Sequence, residues 1–180
     1  MRRHKAPEKS GTGVSPVQGF LVSRRNLPHW QEPWSAYYIT WRCKQGVSLS
    51  PEERRTVLDS LMYLDGRKWD VYAVAVMPTH VHALAQPLRK GEGTGCFDLA
   101  EILQSVNSYT AHLINKRRSR KGSLWQDERY DRIVRVDAEF QEKWRYIRDN
   151  AVKAGLAAVP EEYPWLYEKG EEHRRDACAT

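Results

Sequence analysis

The sequence is poor in cysteine and lacks long apolar stretches. Its three cysteines, Cys43, Cys96 and Cys178, are far apart, and none belongs to a Cys-x-x-Cys pair. This spacing argues against a zinc site and a disulfide framework, and it favours a reducing cytoplasm. No stretch approaches the roughly 18 to 20 apolar residues of a membrane span, and no apolar signal core follows the basic start. We therefore expect a cytoplasmic protein with no membrane segment.

The length and composition suit one compact domain. The chain has 180 residues, of which 41% are hydrophobic and 29% are charged. It is therefore too apolar to be disordered throughout and too charged for a membrane protein. Two full domains would leave little core for each.

The balance of charge is basic, with a formal net charge of +6. Such a balance favours a polyanionic partner, although a solvated surface of lysine and arginine gives the same value. Aromatic residues lie between the basic clusters, so both phosphate contacts and base stacking are available to a nucleic acid. The clusters are the basic start of the chain, Arg24-Arg25, and the group Lys116, Arg117, Arg118, Arg120 and Lys121.

The first half of the chain predicts a strand, a helix and two more strands. Residues 36–43 are rich in aromatic and β-branched side chains, which is typical of a strand. Residues 50–53, Ser-Pro-Glu-Glu, contain the pieces of a capping box, and the helix that follows is predicted to end at Gly66. Residues 69–76 and 80–86 then have an extended pattern.

The second half predicts a helix, a strand and a third helix. An apolar stripe from Leu99 to Leu113 marks the second helix, and the large basic cluster lies at its end. Residues 130–136 predict a fourth strand, and Asp137 is placed to cap a third helix that Gly155 ends. The order βαββαβ, followed by a helix, predicts an α+β fold. This order of elements is the one found in a ferredoxin-like split βαβ fold, with an antiparallel sheet and here an added C-terminal helix.

Three segments are expected along the chain. Residues 1–35 contain several glycines and prolines with little periodicity and predict an irregular N-terminal arm. Residues 36–167 are expected to form the folded domain. Residues 168–180 are expected to be a charged, disordered tail.

A pair of histidines is the first candidate for chemistry. His80 and His82 are separated by Val81, so on a strand their side chains point to the same face. Two converging imidazoles can bind a divalent ion and leave its other positions to substrate oxygens and water. The same spacing also arises by chance, and alone it is more often no metal site.

The third predicted helix offers a candidate nucleophile. Tyr146 is not needed for the apolar stripe and lies on the flank of the helix, together with Asn150 and Lys153. Because Tyr146 and Asn150 are four residues apart, a phenol and an amide oxygen can face one site. A tyrosine that packs at the helix edge is the competing interpretation. Tyr109 is a rival nucleophile, but it lies beside the stripe of the second helix, where packing is the simpler explanation.

The two candidate groups are chemically complementary. A phenol has a pKa of about 10 and attacks a phosphodiester poorly unless a cation orients or activates it. Mg²⁺ or Mn²⁺ can polarise the phosphodiester and offset the charge of the transition state. Attack by tyrosine would leave a covalent phosphotyrosine and a free 3′-hydroxyl, which conserves the bond energy for rejoining.

Several segments match a known family in both order and spacing. They are Arg24–Trp30, Met77–His82, Gly122–Gln126, Tyr130-Asp131, Tyr146–Leu156 and Tyr163–Trp165. In these segments the sequence resembles the REP-associated tyrosine transposases, a branch of the single-tyrosine HUH endonucleases. The resemblance spans most of the chain and is more specific than any single motif.

The resemblance implies a ferredoxin-like nuclease domain with His80 and His82 as metal ligands and Tyr146 as the covalent nucleophile. It implies Mg²⁺ or Mn²⁺ as the cofactor and Asn150 as a third ligand. Related insertion-sequence transposases usually have glutamine at that position, and the shorter amide changes the reach to the ion. The family also often has proline where this chain has Ala151, a difference that the chemistry tolerates.

The resemblance also implies a substrate, single-stranded DNA with imperfect palindromic REP hairpins and a short guide sequence at the hairpin foot. A solvated basic helix end is the competing interpretation for the cluster at 116–121. Trp125 and Trp165 can stack on bases or pack in the core. The expected DNA contacts are Arg24, Arg25, Lys116, Arg117, Arg118, Arg120, Lys121 and Lys153.

The expected activity is metal-dependent, site-specific cleavage and rejoining of hairpin-bearing single-stranded DNA at the nucleoid, through a 5′-phosphotyrosine. Two alternatives stay open. One is a hairpin-binding protein that does not cut, and the other is a replication initiator or relaxase with the same chemistry, which the small size makes weaker. The sequence leaves monomer and homodimer, and a site in cis or in trans, undecided. His4, His29 and His112 have no partner at a metal-ligand spacing and are expected at the surface.

Overall fold

A computed structural model of the protein describes residues 21–24, 28–32, 34–91 and 95–170. Near the start of these ranges, β1 (Leu21–Arg24) and β2 (Pro28–Gln31) form an antiparallel hairpin in which Val22 lies opposite Trp30. The hairpin departs from the irregular arm expected over residues 1–35. Strands of four residues are too short for a period to be detected, and these two form by pairing with each other.

The core is a five-stranded antiparallel sheet. Its spatial order is β6-β3-β5-β4-β7. Without β7 this is the order of a split βαβ layer, so the predicted α+β fold is confirmed. The strands are β3 (Ala36–Cys43), β4 (Trp69–Val76), β5 (His80–Pro87), β6 (Trp125–Val134) and β7 (Leu166–Glu168).

Three α-helices pack on the sheet: α1 (Pro51–Tyr63), α2 (Leu99–Arg117) and α3 (Asp137–Lys153). α1 begins in the predicted capping box, because the Ser50 hydroxyl accepts from the Glu53 backbone and the Glu53 carboxylate accepts from the Ser50 backbone at 2.7 Å. After α3, Gly155 has a φ of 68°, a left-handed conformation that favours glycine at a helix end. Within the described ranges, no helix is long and apolar enough to cross a membrane.

The helices divide between the two faces of the sheet. Side chains alternate along β3, so Ile39 and Trp41 belong to the core on the side of α1 and α2, whereas Tyr38 belongs to the core on the side of α3. The second core contains Leu84 of β5 and Phe140 of α3. Side chains of α3 therefore meet those of β3, β4 and β5 on one face.

Several element boundaries differ from the sequence predictions, among them the end of β6, which is Val134 instead of residue 136. β6 begins at Trp125 instead of Tyr130, because a register shift opposite Trp41 and Cys43 lets the chain join the sheet early. Asp137 is the first residue of α3, and the cap position is Val136, which has no side-chain cap hydrogen bond.

The C-terminal segment adds a strand that the sequence pattern did not indicate. β7 has three residues and forms through pairing with β4, where Tyr167 lies opposite Val74. The ammonium group of Lys169 also lies 2.5 Å from the Asp70 carboxylate. Glu168 therefore belongs to the sheet and not to the tail expected over residues 168–180, of which residues 171–180 lie outside the described ranges.

Candidate active site

β5 presents His80 and His82 on one face. In the register of the sheet, His80 lies opposite Arg42, and His82 lies between Thr40 of β3 and Ala75 of β4. The ring centroids of the two histidines are 4.7 Å apart. The predicted convergence of the two imidazoles is thus present in the structure.

α3 brings Tyr146 to the histidines. The Tyr146 side chain is 41% exposed, yet its ring centroid lies 5.3 Å from that of His82, with the two rings nearly perpendicular. A phenol that is open to solvent beside two imidazoles can meet a substrate phosphate. The helix is fixed in this position by its buried stripe, which consists of Phe140, Trp144, Ile147 and Ala151.

Two further side chains complete the pocket, and neither was predicted. The hydroxyl oxygens of Tyr38 and Thr40 lie 2.9 Å and 2.8 Å from Nδ1 of His82. The Tyr38 ring stacks on His82 at a centroid distance of 5.9 Å and meets the Tyr146 ring edge-on at 6.0 Å. Alternation along β3 places Tyr38 and Thr40 on one face, but only the pairing of β3 with β5 shows that this face is the one with the histidines.

Burial keeps both histidines uncharged. His82 is 4% exposed, and burial lowers its pKa to about 3, with smaller contributions from the positive charges of His80 and Arg42. Burial, and then Arg42, also lower the pKa of His80. Both rings are therefore neutral near pH 7, the form in which an imidazole nitrogen binds a metal ion.

The two imidazoles fit part of a divalent metal site. Among the residues that the structure describes, no three His, Cys, Asp or Glu side chains are grouped so that they could hold a metal ion. Asn150, partly buried and one helical turn after Tyr146, would add an amide oxygen. A set of two imidazole nitrogens with amide and phosphate oxygens suits Mn²⁺ better than Mg²⁺, because imidazole is the softer donor.

Tyr38 is a neutral hydrogen-bonding group. Burial raises its pKa to about 12, the hydrogen bond with Thr40 acts in the opposite direction, and the phenol of Tyr146 raises the pKa further. Tyr38 therefore keeps its proton at physiological pH, and at 8% exposure it is far less accessible to a substrate phosphate than Tyr146.

Two lysines lie at the edge of the pocket. The ammonium nitrogen of Lys153 is 5.8 Å from the centre of the Tyr146 ring and 3.8 Å from the Asp149 carboxylate. That of Lys143 is 5.7 Å from the centre of the Tyr38 ring. The structure thus places Lys153 on the flank expected for it, where its charge can attract a phosphate to the phenol.

The basic cluster at 116–121, which spans the end of α2 and the loop after it, lies at the same end of the sheet as His80. Backbone hydrogen bonds from Cys43 to Thr79, at 2.8 Å, and from Lys44 to Leu124, at 2.9 Å, join the chain ends of β3, β5 and β6. The loop that leads into β6 therefore borders the turn that leads into the histidine strand.

Members of this cluster differ in what they contact. Arg118 donates to both carboxylate oxygens of the buried Glu53 and to the carbonyl of Ser48. Its charge is compensated within the fold, so its contacts support a structural role instead of the expected DNA contact. The side chains of Lys116 and Lys121 are exposed, as a DNA contact requires.

Two other expected DNA contacts form hydrogen bonds within the protein, and two lie wholly or partly outside the described residues. Arg117 donates to the Thr56 hydroxyl at 2.9 Å and Arg120 to a loop carbonyl at 3.4 Å. The side chain of Arg24, and the whole of Arg25, lie outside the described part of the chain.

Tyr109 lies away from the pocket. It belongs to α2, which covers the face opposite α3, and it is 56% exposed. The expectation that it packs is therefore wrong, but its separation from the histidines agrees with the preference for Tyr146. His112 is exposed as expected, whereas the side chains of His4 and His29 lie outside the described part.

The two tryptophans that could have stacked on bases pack within the protein. Trp125 is buried and donates its indole N–H to the Thr110 hydroxyl at 3.0 Å. The guanidinium carbon of Arg54 lies 3.5 Å from the centre of the Trp165 ring. Both contacts stabilise the fold and leave little aromatic surface for a base.

Comparisons with known proteins identify the fold. Neither a family model nor a curated protein matches the sequence. Among solved structures, one described as the REP-associated tyrosine transposase bound to a REP hairpin matches with a TM-score of 0.65 at 14% identity, and the match covers 87% of each chain. This chain therefore shares its fold.

Two other solved structures match less well. A candidate transposase from Deinococcus radiodurans has a TM-score of 0.43 at 16% identity, over 79% of this chain and 97% of its own. A bacterial tRNA(His) guanylyltransferase-like protein in complex with GTP has a TM-score of 0.47 at 10% identity, over 74% and 73%.

Proposed function

We propose that the protein cuts and rejoins single-stranded DNA in a metal-dependent reaction with Tyr146 as the nucleophile. The observation that carries the proposal is that His80, His82 and Tyr146 meet in one pocket. Tyr146 is far from the two histidines in the sequence, and only the docking of α3 on the sheet brings it to them. The fold shared with a structure described as a tyrosine transposase supports the same conclusion.

In the proposed reaction, the phenol oxygen of Tyr146 attacks the phosphorus of a phosphodiester. A bond forms between this oxygen and phosphorus, and the bond from phosphorus to the 3′ oxygen breaks, so the products are a 5′-phosphotyrosine and a 3′-hydroxyl. The phenol proton passes to solvent, and the departing 3′ oxygen takes up a proton. Rejoining is the reverse attack of a 3′-hydroxyl on the phosphotyrosine.

His80, His82 and Asn150 would hold the divalent ion that this reaction uses. The bound ion would supply positive charge to the phosphate under attack. Neutral imidazoles allow the ion to bind without first displacing protons near pH 7. The protein's own contribution is to aim the phenol at the bound phosphate and to keep both imidazoles in place.

We infer that the site acts within one chain. Tyr146 faces the His82 of its own chain. Two residues further along α3, Arg148 pairs with Glu161 and lies 3.8 Å from Glu168 of β7, which fixes α3 to the C-terminal segment of the same chain. A helix held both by its buried stripe and by these ion pairs does not need a partner to complete the pocket.

The proposed substrate is single-stranded DNA that carries a hairpin. The solved structure with the same fold is described as bound to a REP hairpin. In this chain Lys116 lies in the last turn of α2 and Lys121 in the loop after it, at the same end of the sheet as His80, and both side chains are exposed. Lys153 lies beside Tyr146. Positive charge beside the phenol, and at the end of the sheet where the histidine strand begins, would bind phosphates of the DNA.

An adduct assay tests the proposal, with labelled single-stranded hairpin DNA and Mn²⁺. The wild-type protein should form a covalent adduct that survives denaturation, and Tyr146→Phe should form none. Tyr130→Phe is a matched control, because Tyr130 is also an exposed tyrosine near the pocket, 6.2 Å from the Tyr38 ring. It should keep the adduct. An undiminished adduct in Tyr146→Phe would refute the proposed role.

The same DNA separates cutting from binding. His82→Ala should lose the adduct and keep most of its hairpin affinity, because the basic residues that bind phosphate are unchanged. A wild-type protein that binds the hairpin but never forms an adduct would instead be a hairpin-binding protein without nuclease activity.

A further inference from the structure

The buried nitrogen of His82 has two hydroxyl partners. The oxygen of Tyr38 lies 2.9 Å from Nδ1, and the oxygen of Thr40 lies 2.8 Å from it. Both hydroxyls come from β3, and Thr40 is the direct register partner of His82. Since His82 is only 4% exposed, these two hydroxyls are the groups that fix the orientation of its ring at Nδ1.

A neutral imidazole carries one proton, so one ring nitrogen donates and the other accepts. Nδ1 can accept a proton from a hydroxyl only if Nε2 carries the ring proton, and Nε2 then has no lone pair for a metal ion. If Nδ1 carries the proton, the hydroxyl oxygens accept it and the lone pair of Nε2 is open. The direction of these two hydrogen bonds therefore decides whether His82 can bind a metal ion through Nε2.

Two hydroxyls at one nitrogen favour one direction. The Tyr38 and Thr40 oxygens lie at nearly equal distances from Nδ1, 2.9 Å and 2.8 Å. An unprotonated Nδ1 has one lone pair to offer to two donors, whereas an Nδ1–H group can be shared between two acceptor oxygens. Both contacts are therefore satisfied together when Nδ1 carries the proton and donates.

From this geometry we propose that Tyr38 and Thr40 are positioning residues that fix the tautomer and the orientation of the metal ligand His82. Nδ1–H of His82 donates to both hydroxyl oxygens, which leaves the lone pair of Nε2 open for the ion. The Tyr38 ring also meets the Tyr146 ring edge-on, so the same side chain packs against the nucleophile. This inference rests on the function proposed above.

The tautomer of His82 can be read directly by NMR. In wild-type protein without metal, long-range ¹H–¹⁵N correlations of the His82 ring should show the proton on Nδ1. A proton on Nε2 would overturn the inference. In Tyr38→Phe with Thr40→Val, which keep the ring and the branched shape, the preference for Nδ1 should be lost.

Metal affinity supplies a second readout that does not depend on cleavage. The double variant should bind Mn²⁺ about tenfold more weakly than the wild type, the lower end of the effect of removing groups that orient a ligand. Thr40→Ser restores a hydroxyl and, in the Tyr38→Phe background, should recover most of the affinity. Tyr130→Phe is the control and should bind Mn²⁺ like the wild type. Unchanged affinity in the double variant would overturn the inference.

Cleavage keeps this inference apart from the proposed function. The double variant should bind the hairpin like the wild type and form the adduct more slowly at low Mn²⁺, and a higher Mn²⁺ concentration should restore most of the rate, because only metal affinity is weakened. A double variant that forms the adduct at the wild-type rate at low Mn²⁺ would overturn the inference and leave the proposed function intact. Adduct formation in Tyr146→Phe would instead overturn the proposed function itself.

Discussion

Arg118→Ala should destabilise the protein more than Glu53→Gln, although the two residues share one ion pair. The Glu53 side chain is 7% exposed, and that of Arg118 is 28% exposed. Loss of Arg118 leaves a buried carboxylate without its cation. Loss of the carboxylate charge leaves a guanidinium that still reaches water. Glutamine at the third position of α1 also completes the capping box with Ser50.

The asymmetry can be given a size. Breaking a buried ion pair by removal of one partner lowers the free energy of unfolding by about 3 to 5 kcal/mol, and we expect about 3 kcal/mol for Arg118→Ala because water reaches part of the site. Glu53→Gln should lower it by about 1 kcal/mol, since the amide oxygen still accepts hydrogen bonds. For a chain of this length, 3 kcal/mol corresponds to a fall in Tm of about 6 to 12 °C.

The effect should depend on pH. Burial alone would raise the pKa of Glu53, but the hydrogen bonds from Arg118 and Ser50 outweigh it and hold the pKa below its usual range. A carboxylate with a lowered pKa in the folded state stabilises the fold above its unfolded pKa of about 4.3. That contribution is lost as the pH falls through the folded value. The difference between wild type and Arg118→Ala should therefore be full at pH 7 and shrink below about pH 4.

Urea denaturation at pH 7 and in acid measures these differences. Arg117→Ala is the control, because it removes the neighbouring arginine, which is exposed and donates its hydrogen bond to the Thr56 hydroxyl and not to the Glu53 carboxylate. It should change the free energy of unfolding by less than about 1 kcal/mol. Equal losses for Arg118→Ala and Glu53→Gln, or a larger loss for Glu53→Gln, would refute the reasoning from burial.

Hairpin binding should distinguish the basic residues. Lys121→Ala should reduce the slope of log affinity against log salt by about 0.7 to 0.9, whereas Arg118→Met should leave it unchanged in titrations from low to moderate salt. Stability should also fall as the pH drops from about 6.5 toward 3, by up to about 1.4 kcal/mol per pH unit, because the unfolded chain binds a proton that the buried His82 excludes. A His82→Gln variant that keeps the same acid dependence would contradict this. Arg148→Ala should slow single-turnover adduct formation without weakening hairpin binding, since the ion pairs of Arg148 hold α3 to the C-terminal segment. A wild-type rate in this variant would show that the buried stripe of α3 positions Tyr146 by itself.

Local patterns in the sequence predicted the parts of the fold that depend on near neighbours. The capping box at Ser50 and the left-handed Gly155 are both formed by residues within a few positions of each other. The same is true of the shared face of His80 and His82, which follows from alternation along one strand. For Tyr146, helical spacing was enough to place it off the buried stripe of α3.

The features that could not be predicted depend on contacts between residues that are far apart in the sequence. The role of Tyr38 depends on β3 lying beside β5, a register that no local pattern specifies. Arg118 belongs to a run of basic residues, and only the packing of α1 beside the end of α2 places Glu53 next to it. β7 is three residues long and exists because β4 offers it an edge.

The topology explains why the proposed active site lies on the α3 side of the sheet. The split βαβ order places both connecting helices on one face, where they cover it and bury residues such as Trp41. In the described part of the chain α3 is the only α-helix on the other face, and one helix does not cover five strands. Tyr130 on the edge strand β6 remains 53% exposed, and Tyr146 is open at the flank of the helix. This partly covered face would leave room for an extended polymer such as the proposed substrate, and the helix that covers it carries the proposed nucleophile.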